Sequence, residues 1–262
     1  FNVFKRVVLI DNNTKKYIEF NKKKFPFNNK TKKGIVLVDF FPWNPFIFFW
    51  SILSNLLSNK YNLSIKFFYF PFYNLHSEKY FLFKRRLIKI YNSFNCEYGI
   101  SSLNKKLSSR DQKKLLKIYN NFKNKDQLRK YKFKGILLGD LIHDTAIRTH
   151  QIPTIGLKDK RLIEKFLDAH LIFYCIEDYL KKNKVKFLIA SDCVYNQFGI
   201  ITRICVKKNI KTFFLYYLSR GMYEIKLATF DKKINSFKNP YYNYNKKFKK
   251  KIISQKDKNT AL

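Results

Sequence analysis

Gly34-Ile35-Val36-Leu37-Val38-Asp39-Phe40-Phe41 is the stretch on which the fold turns. It is a continuous, β-branched apolar run with one Asp near its end, the pattern of a strand buried on both faces. Pro42-Trp43-Asn44-Pro45 breaks it and opens a helix predicted to run to about Asn59. Asn62-Leu63-Ser64-Ile65-Lys66-Phe67-Phe68-Tyr69-Phe70 supplies a second strand, ended by Pro71. Strand, crossover helix and strand make a βαβ unit, which favours a parallel sheet because parallel neighbours need a long crossover.

The same grammar returns near the end of the chain. Val185–Ala190 reads as a strand, Ser191–Gln197 as a loop, Phe198–Lys208 as a helix and Ile210–Tyr217 as the next strand. Between the two units, residues 77–95 and 108–131 read as helices, with a short segment at Glu97–Ile100 between them. A long helix follows from about Asp159 to Asn183, with Leu162, Phe166, Leu167, Leu171, Tyr174 and Cys175 at helical spacing. His170 falls inside that pattern and reads as a core or rim residue. The expected fold is α/β: a Rossmann-like, largely parallel sheet with helices on both faces. Its strands lie near 35–40, 63–70, 186–190 and 211–217. Residues 1–33 form a basic lead-in, 34–224 the α/β domain, and 225–262 a lysine-rich linker or the start of a further region.

In open α/β sheets, ligands bind outside the carboxyl ends of the strands. That rule puts Asp39–Asn44 and the polar loop Ser191-Asp192-Cys193-Val194-Tyr195-Asn196 on one edge. Arg203, one to two turns into the following helix, either points its charge back to that edge or sits on the surface. A second polar cluster, Gly139-Asp140-Leu141-Ile142-His143-Asp144-Thr145-Ala146-Ile147-Arg148, is unlike its surroundings. In a helix, Asp140, Asp144 and Arg148 stand four apart on one face, flanked by Leu141 and Ile147. The plainer alternative is that Asp140 caps the helix and Asp144–Arg148 is an ordinary i,i+4 pair. The functional expectation is that the three charges line a cleft with the Ser191–Tyr195 loop.

Composition sets outer bounds. The 262 residues are 46% hydrophobic, enough for a sizeable core, and carry a net charge of +36. Of the 54 basic residues only 9 are Arg, and Asn reaches 25 against 5 Ala, a bias that fits an AT-rich coding sequence. The charge is dispersed along the chain, so it would attract nucleic acid or anionic lipid without selecting either. Specific duplex reading leans on Arg forks, which are scarce here, so no specific nucleic acid is expected. The apolar run Phe46–Leu57 is too short to span a bilayer, and a buried crossover helix is the better reading. Interfacial contact with an anionic membrane stays open.

Cys96, Cys175, Cys193 and Cys205 form no CxxC pair and have no His at zinc-finger spacing, so they read as reduced core thiols of a cytoplasmic protein. No metal site is expected from the four scattered histidines. The chain lacks GxGxxG, P-loop, HExxH and GxSxG motifs. Phe1 in place of a Met, and a lysine-rich close, read as a fragment of a longer protein.

Four pieces, taken in order, carry a family resemblance: Gly34–Pro45 with Trp43-Asn44-Pro45; Gly139-Asp140-Leu141-Ile142 with Asp144 and Arg148; Ser191–Tyr195 with Gly199 and Arg203; and Ser219-Arg220-Gly221. Together they resemble the bacterial surface (capsular or O-antigen) polysaccharide biosynthesis proteins of GT-B-like glycosyltransferase architecture, over about residues 34–224. The resemblance implies two Rossmann-like domains, an acceptor in the first and a nucleotide-sugar in the second, with this chain holding the first only. It therefore implies no cofactor on this chain, a nucleotide-sugar donor for the full-length protein, and a sugar or lipid-linked acceptor as partner. One departure is that a His is common in the family where this chain has Asp192.

Glycosyl transfer needs a base for the acceptor hydroxyl and cationic groups for the leaving diphosphate. Asp144 and Asp192 are the base candidates. Arg148, Arg203 and Arg220 are candidates for phosphate or an anionic acceptor, because a planar fork suits those oxygens. Asn44, Asp140, Ser191 and Tyr195 complete the substrate-binding set. The alternative is a non-catalytic basic protein that binds nucleic acid. It accounts for the charge but not for acids standing among the candidate ligand groups.

Overall fold

The structure is a computed structural model and describes residues 12–26, 32–41, 44–71, 78–219, 222–227, 230–231 and 236–237. The start of the lead-in, Pro42-Trp43, Arg220 and the lysine-rich segment after 237 lie outside the described residues.

The apolar run opens the sheet as β1 (Ile35–Asp39), and all five of its residues are buried. It leads through α2 (Asn44–Tyr61) to β2 (Ser64–Tyr69), then through α3 (Glu78–Asn92) to β3 (Cys96–Ser101). An earlier helix, α1 (Asn12–Lys24), rests on this layer. Tyr17 donates to Ser51 Oγ at 2.9 Å and Asn21 to Ser93 Oγ at 3.0 Å. The middle of the chain holds α4 (Ser109–Asn120), α5 (Lys125–Arg129), a small hairpin of β4 (Lys132–Phe133) and β5 (Ile136–Leu137), then α6 (Gly139–His150) and α7 (Lys160–Lys182). The second βαβ unit is β6 (Val185–Ala190), a π-helical turn at Tyr195–Gly199, α8 (Ile200–Lys207) and β7 (Lys211–Ser219). β8 (Met222–Leu227) pairs antiparallel with β7, and the short strands β9 (Phe230–Asp231) and β10 (Ser236–Phe237) pair with each other.

The main sheet runs β3-β2-β1-β6-β7-β8, and its first five strands are parallel. This is the expected Rossmann-like α/β architecture. Side-chain alternation divides the core into two layers. Ile35 and Leu37 face one layer, with Leu141, Phe166 and Ile201; Val36 and Val38 face the other, with Trp50, Phe67 and Tyr91. The first crossovers therefore cover one face and the later helices the other, which is why β1 must be apolar on both sides.

Three local readings change. The 108–131 helix is two helices, because Asn124 leaves the helical path and its side chain caps α5 by accepting from Gln127 N. Glu97–Ile100 is part of β3. The last expected strand, Ile210–Tyr217, runs on to Ser219, and β8 pairs with it beyond the expected set.

Candidate active site at the sheet's switch point

From β1 the chain works outward to β2 and β3, then returns to β1's other flank as β6. The crevice between the carboxyl ends of β1 and β6 is thus the topological switch point, where ligands of such sheets bind. Two residues meet there from opposite ends of the sequence. Asp39, the last residue of β1, is 3% exposed, and Ser191 follows β6 directly. Ser191 N donates to Asp39 Oδ2 at 3.2 Å, and Ser191 Oγ donates to the same oxygen. Tyr91 fixes the strand exit: its hydroxyl donates to Asp39 O at 2.7 Å and accepts from Phe41 N at 2.9 Å.

Burial pushes the Asp39 carboxyl up to about 7, and the nearby Asp192 charge adds to the rise, while the Ser191 bonds oppose it. A carboxyl with that pKa can take or give a proton at neutral pH, as a general acid–base requires. The Asp192 carboxyl is also raised by burial. Its Oδ1 accepts from Cys193 N at 2.6 Å and from Val194 N at 3.3 Å, so it shapes its own loop. Asp39 did not figure among the sequence candidates. Its signal was there, an acid closing an otherwise apolar strand, but the rise in its pKa comes from packing by distant elements.

The loop after Asp192 is tightly held. Tyr195 takes φ 59°, in the left-handed region that bulky residues rarely enter, and begins the π-helical turn. Asn196 N donates to Thr145 Oγ1 at 2.8 Å, and Asn196 Nδ2 to Lys165 O at 3.0 Å, tying the loop to α6 and α7. A Cβ on Gly199 would lie 2.5 Å from Leu141 Cδ2 and 2.8 Å from Cys193 O, so only glycine allows this approach to α6.

The α6 stripe is distributed differently. Asp140 receives a fork from Arg203, Nη1 to Oδ1 at 2.6 Å and Nη2 to Oδ2 at 2.7 Å. Arg203 Nη1 also donates to Leu137 O at 2.6 Å, so this ion pair clamps α8 to the start of α6. Arg203 is thus committed to Asp140 and Leu137, with its side chain largely buried rather than in open solvent. Asp144 is half exposed and stands 3.3 Å from His143 Nδ1, and Arg148 is exposed. Among the described residues Asp144 and Arg148 form no ion pair. The α6 residues that meet the 191–199 loop are Leu141 and Thr145, one position round the helix from the charged line. Asn44 opens α2 at the ligand edge, and Arg220 lies outside the described residues.

No known protein family, curated protein or solved structure matches the chain. Among the described residues there is no cluster of three or more His, Cys, Asp or Glu able to hold a metal ion. No described helix is long and apolar enough to cross a membrane.

Proposed function

We propose that the chain is the acceptor-side domain of a glycosyltransferase-like protein that builds a surface polysaccharide on the cytoplasmic side of the membrane. The observation that carries this is the buried Asp39 carboxyl, raised to about 7 at the switch point and facing the crevice residue Ser191. In this reading Asp39 is the proton acceptor, and Asp192 beside it adds a small rise to its affinity for the proton. One proton lost from an acceptor hydroxyl passes to Asp39, with Ser191 Oγ the hydrogen-bonded bridge to the buried oxygen. The freed alkoxide attacks the sugar carbon of a nucleotide-sugar, and the nucleoside diphosphate leaves with the bonding electron pair. Asp192, shaping the loop and raising Asp39, is a positioning residue. The Asp140–Arg203 clamp holds α6 and α8 in register behind the loop.

The rival reading is a basic nucleic-acid-binding protein, favoured by the +36 charge. Two carboxylates at the ligand edge weigh against phosphate there.

The test is acceptor-dependent release of nucleoside diphosphate by the natural full-length protein, over a panel of nucleotide-sugars and saccharide or lipid-linked acceptors. We expect kcat/KM to rise with pH through a midpoint near the Asp39 value of about 7. Asp39→Asn should lower it by about a hundredfold or more. Release without acceptor dependence, or an Asp39→Asn variant as active as wild type, refutes the assignment.

A further inference from the structure

Helix α2 is built inside out. Its polar residues Ser51, Ser54, Asn55 and Ser58 all face inward, between 0 and 7% exposed. Each is satisfied inside the fold: Ser51 Oγ donates to Phe48 O at 2.8 Å, Ser54 Oγ to Trp50 O at 2.5 Å, Asn55 Nδ2 to Ser51 O at 2.8 Å and across to Phe94 O at 3.1 Å, and Ser58 Oγ to Leu63 O at 2.6 Å. The outward line is apolar. Phe48 is 46% exposed and Leu56 63%, with half-buried Ile52 between them at i+4 spacing. From Asn44 to Asn59 the helix carries no charged residue at all.

We infer that this face of α2 is a docking surface for an anionic lipid bilayer, entered at headgroup depth. The neighbouring α1 supplies the charge complement. It packs beside Phe48 through the Tyr17 ring at 6.4 Å, and exposes Lys15, Lys16, Lys22, Lys23 and Lys24 against a single acid, Glu19. Exposed Lys60 closes the far end of the apolar line. An apolar strip beside a lysine-rich helix is the pattern of a helix lying in a membrane interface. A second copy of this chain would bring the same basic surface and a net charge of +36, so self-association there is opposed. Because α2 begins at the carboxyl edge of β1, Phe48 in its first turns lies towards the crevice end of the domain.

The experiment is co-sedimentation of the full chain with vesicles of phosphatidylcholine alone and with about one-third phosphatidylglycerol, for wild type and a Phe48→Ser/Leu56→Ser variant. Wild type should bind the anionic vesicles, and the variant, with unchanged circular dichroism, should bind them about tenfold more weakly or worse. In a second arm, Leu56→Trp should blue-shift on binding and be quenched by brominated lipid. Equal binding of wild type and variant would mean that lysines alone attract the chain, and overturns the assignment. So does a tryptophan that stays in water, or no binding by wild type. A dimer that the double variant disperses, without vesicle binding, assigns the face to a second copy and overturns it too.

Discussion

Asp39→Asn tests, by the sign of its effect on stability, whether burial raises the Asp39 carboxyl. The ordinary aspartate value is 3.8, and burial raises Asp39 to about 7. That gap of roughly three pH units corresponds to about 4 kcal/mol. Between these two values the unfolded chain has lost the proton and the native chain keeps it, so the Asp39 contribution to stability falls as pH rises from about 4 to about 7. Above 7 both states are ionised, and the native state carries the full penalty. The Asn variant has no charge to bury. Its new NH2 group needs a partner where Asp39 used only acceptors, a cost of about 1–2 kcal/mol. At pH 8 the variant should therefore exceed wild type by about 2–3 kcal/mol, several degrees in Tm for a chain of this size. Near pH 4, where the native carboxyl is protonated and carries no such penalty, the variant should fall about 1–2 kcal/mol below wild type.

The measurement is the Tm of both proteins across pH 4–8, and the informative quantity is their difference. Wild type alone misleads, because His170 opposes Asp39. Burial pushes His170 down to about 4, so its contribution is lost as pH falls from 6.5 towards that value. The two slopes run against each other over the same window, and subtraction removes the histidine. A difference independent of pH, or an Asn variant less stable than wild type at pH 8, would refute the reasoning about Asp39.

Two further outcomes are expected. Arg203→Lys loses the two-pronged geometry on Asp140 and should cost about 2 kcal/mol; a double-mutant cycle with Asp140→Asn, read by urea unfolding, should return a coupling of about 1–3 kcal/mol. His170 Nδ1–H donates to Phe166 O at 2.7 Å, so its Nε2, 2.9 Å from Tyr131 OH, is the acceptor of the tyrosine proton. Its imidazole should stay neutral by NMR down to about pH 5, and Tyr131→Phe should cost about 1–2 kcal/mol without changing the fold.

The parallel sheet was legible because strands covered on both faces must be apolar throughout, as 35–38 and 187–190 are. The edges were harder. β3 carries exposed Glu97 and Tyr98, because it has a partner on one side only, and its sequence resembles a loop. β8 does alternate, with Tyr223, Ile225 and Leu227 interleaved with Met222, Glu224 and Lys226. At the site, the strand-end rule placed the 39–44 and 191–196 loops on one edge, and Asp39 bonded to Ser191 is that convergence. Periodicity told which α6 residues share a face but not where the face looks. One residue of rotation, about 100°, separates the charged line from the Leu141–Thr145 line that meets the loop.

Helix α2 makes the physical reason general. Its unbroken apolar stretch read as a buried crossover helix, and half of it is: Ile47 and Trp50 are in the core. The usual rule that polar residues mark the solvent face fails because Ser and Asn can spend their donors on carbonyls of their own helix or the next segment, as Ser54 and Asn55 do. Once satisfied in that way, a small polar side chain packs inward with little penalty, and the outward positions are left free to be apolar. Charged residues cost more to bury unpaired, which is why the lysines of α1 lie outside and Arg203 is buried only with its fork on Asp140. In a chain this rich in Asn and Lys, the position of charge relative to apolar lines therefore distinguishes core from surface where polarity alone does not.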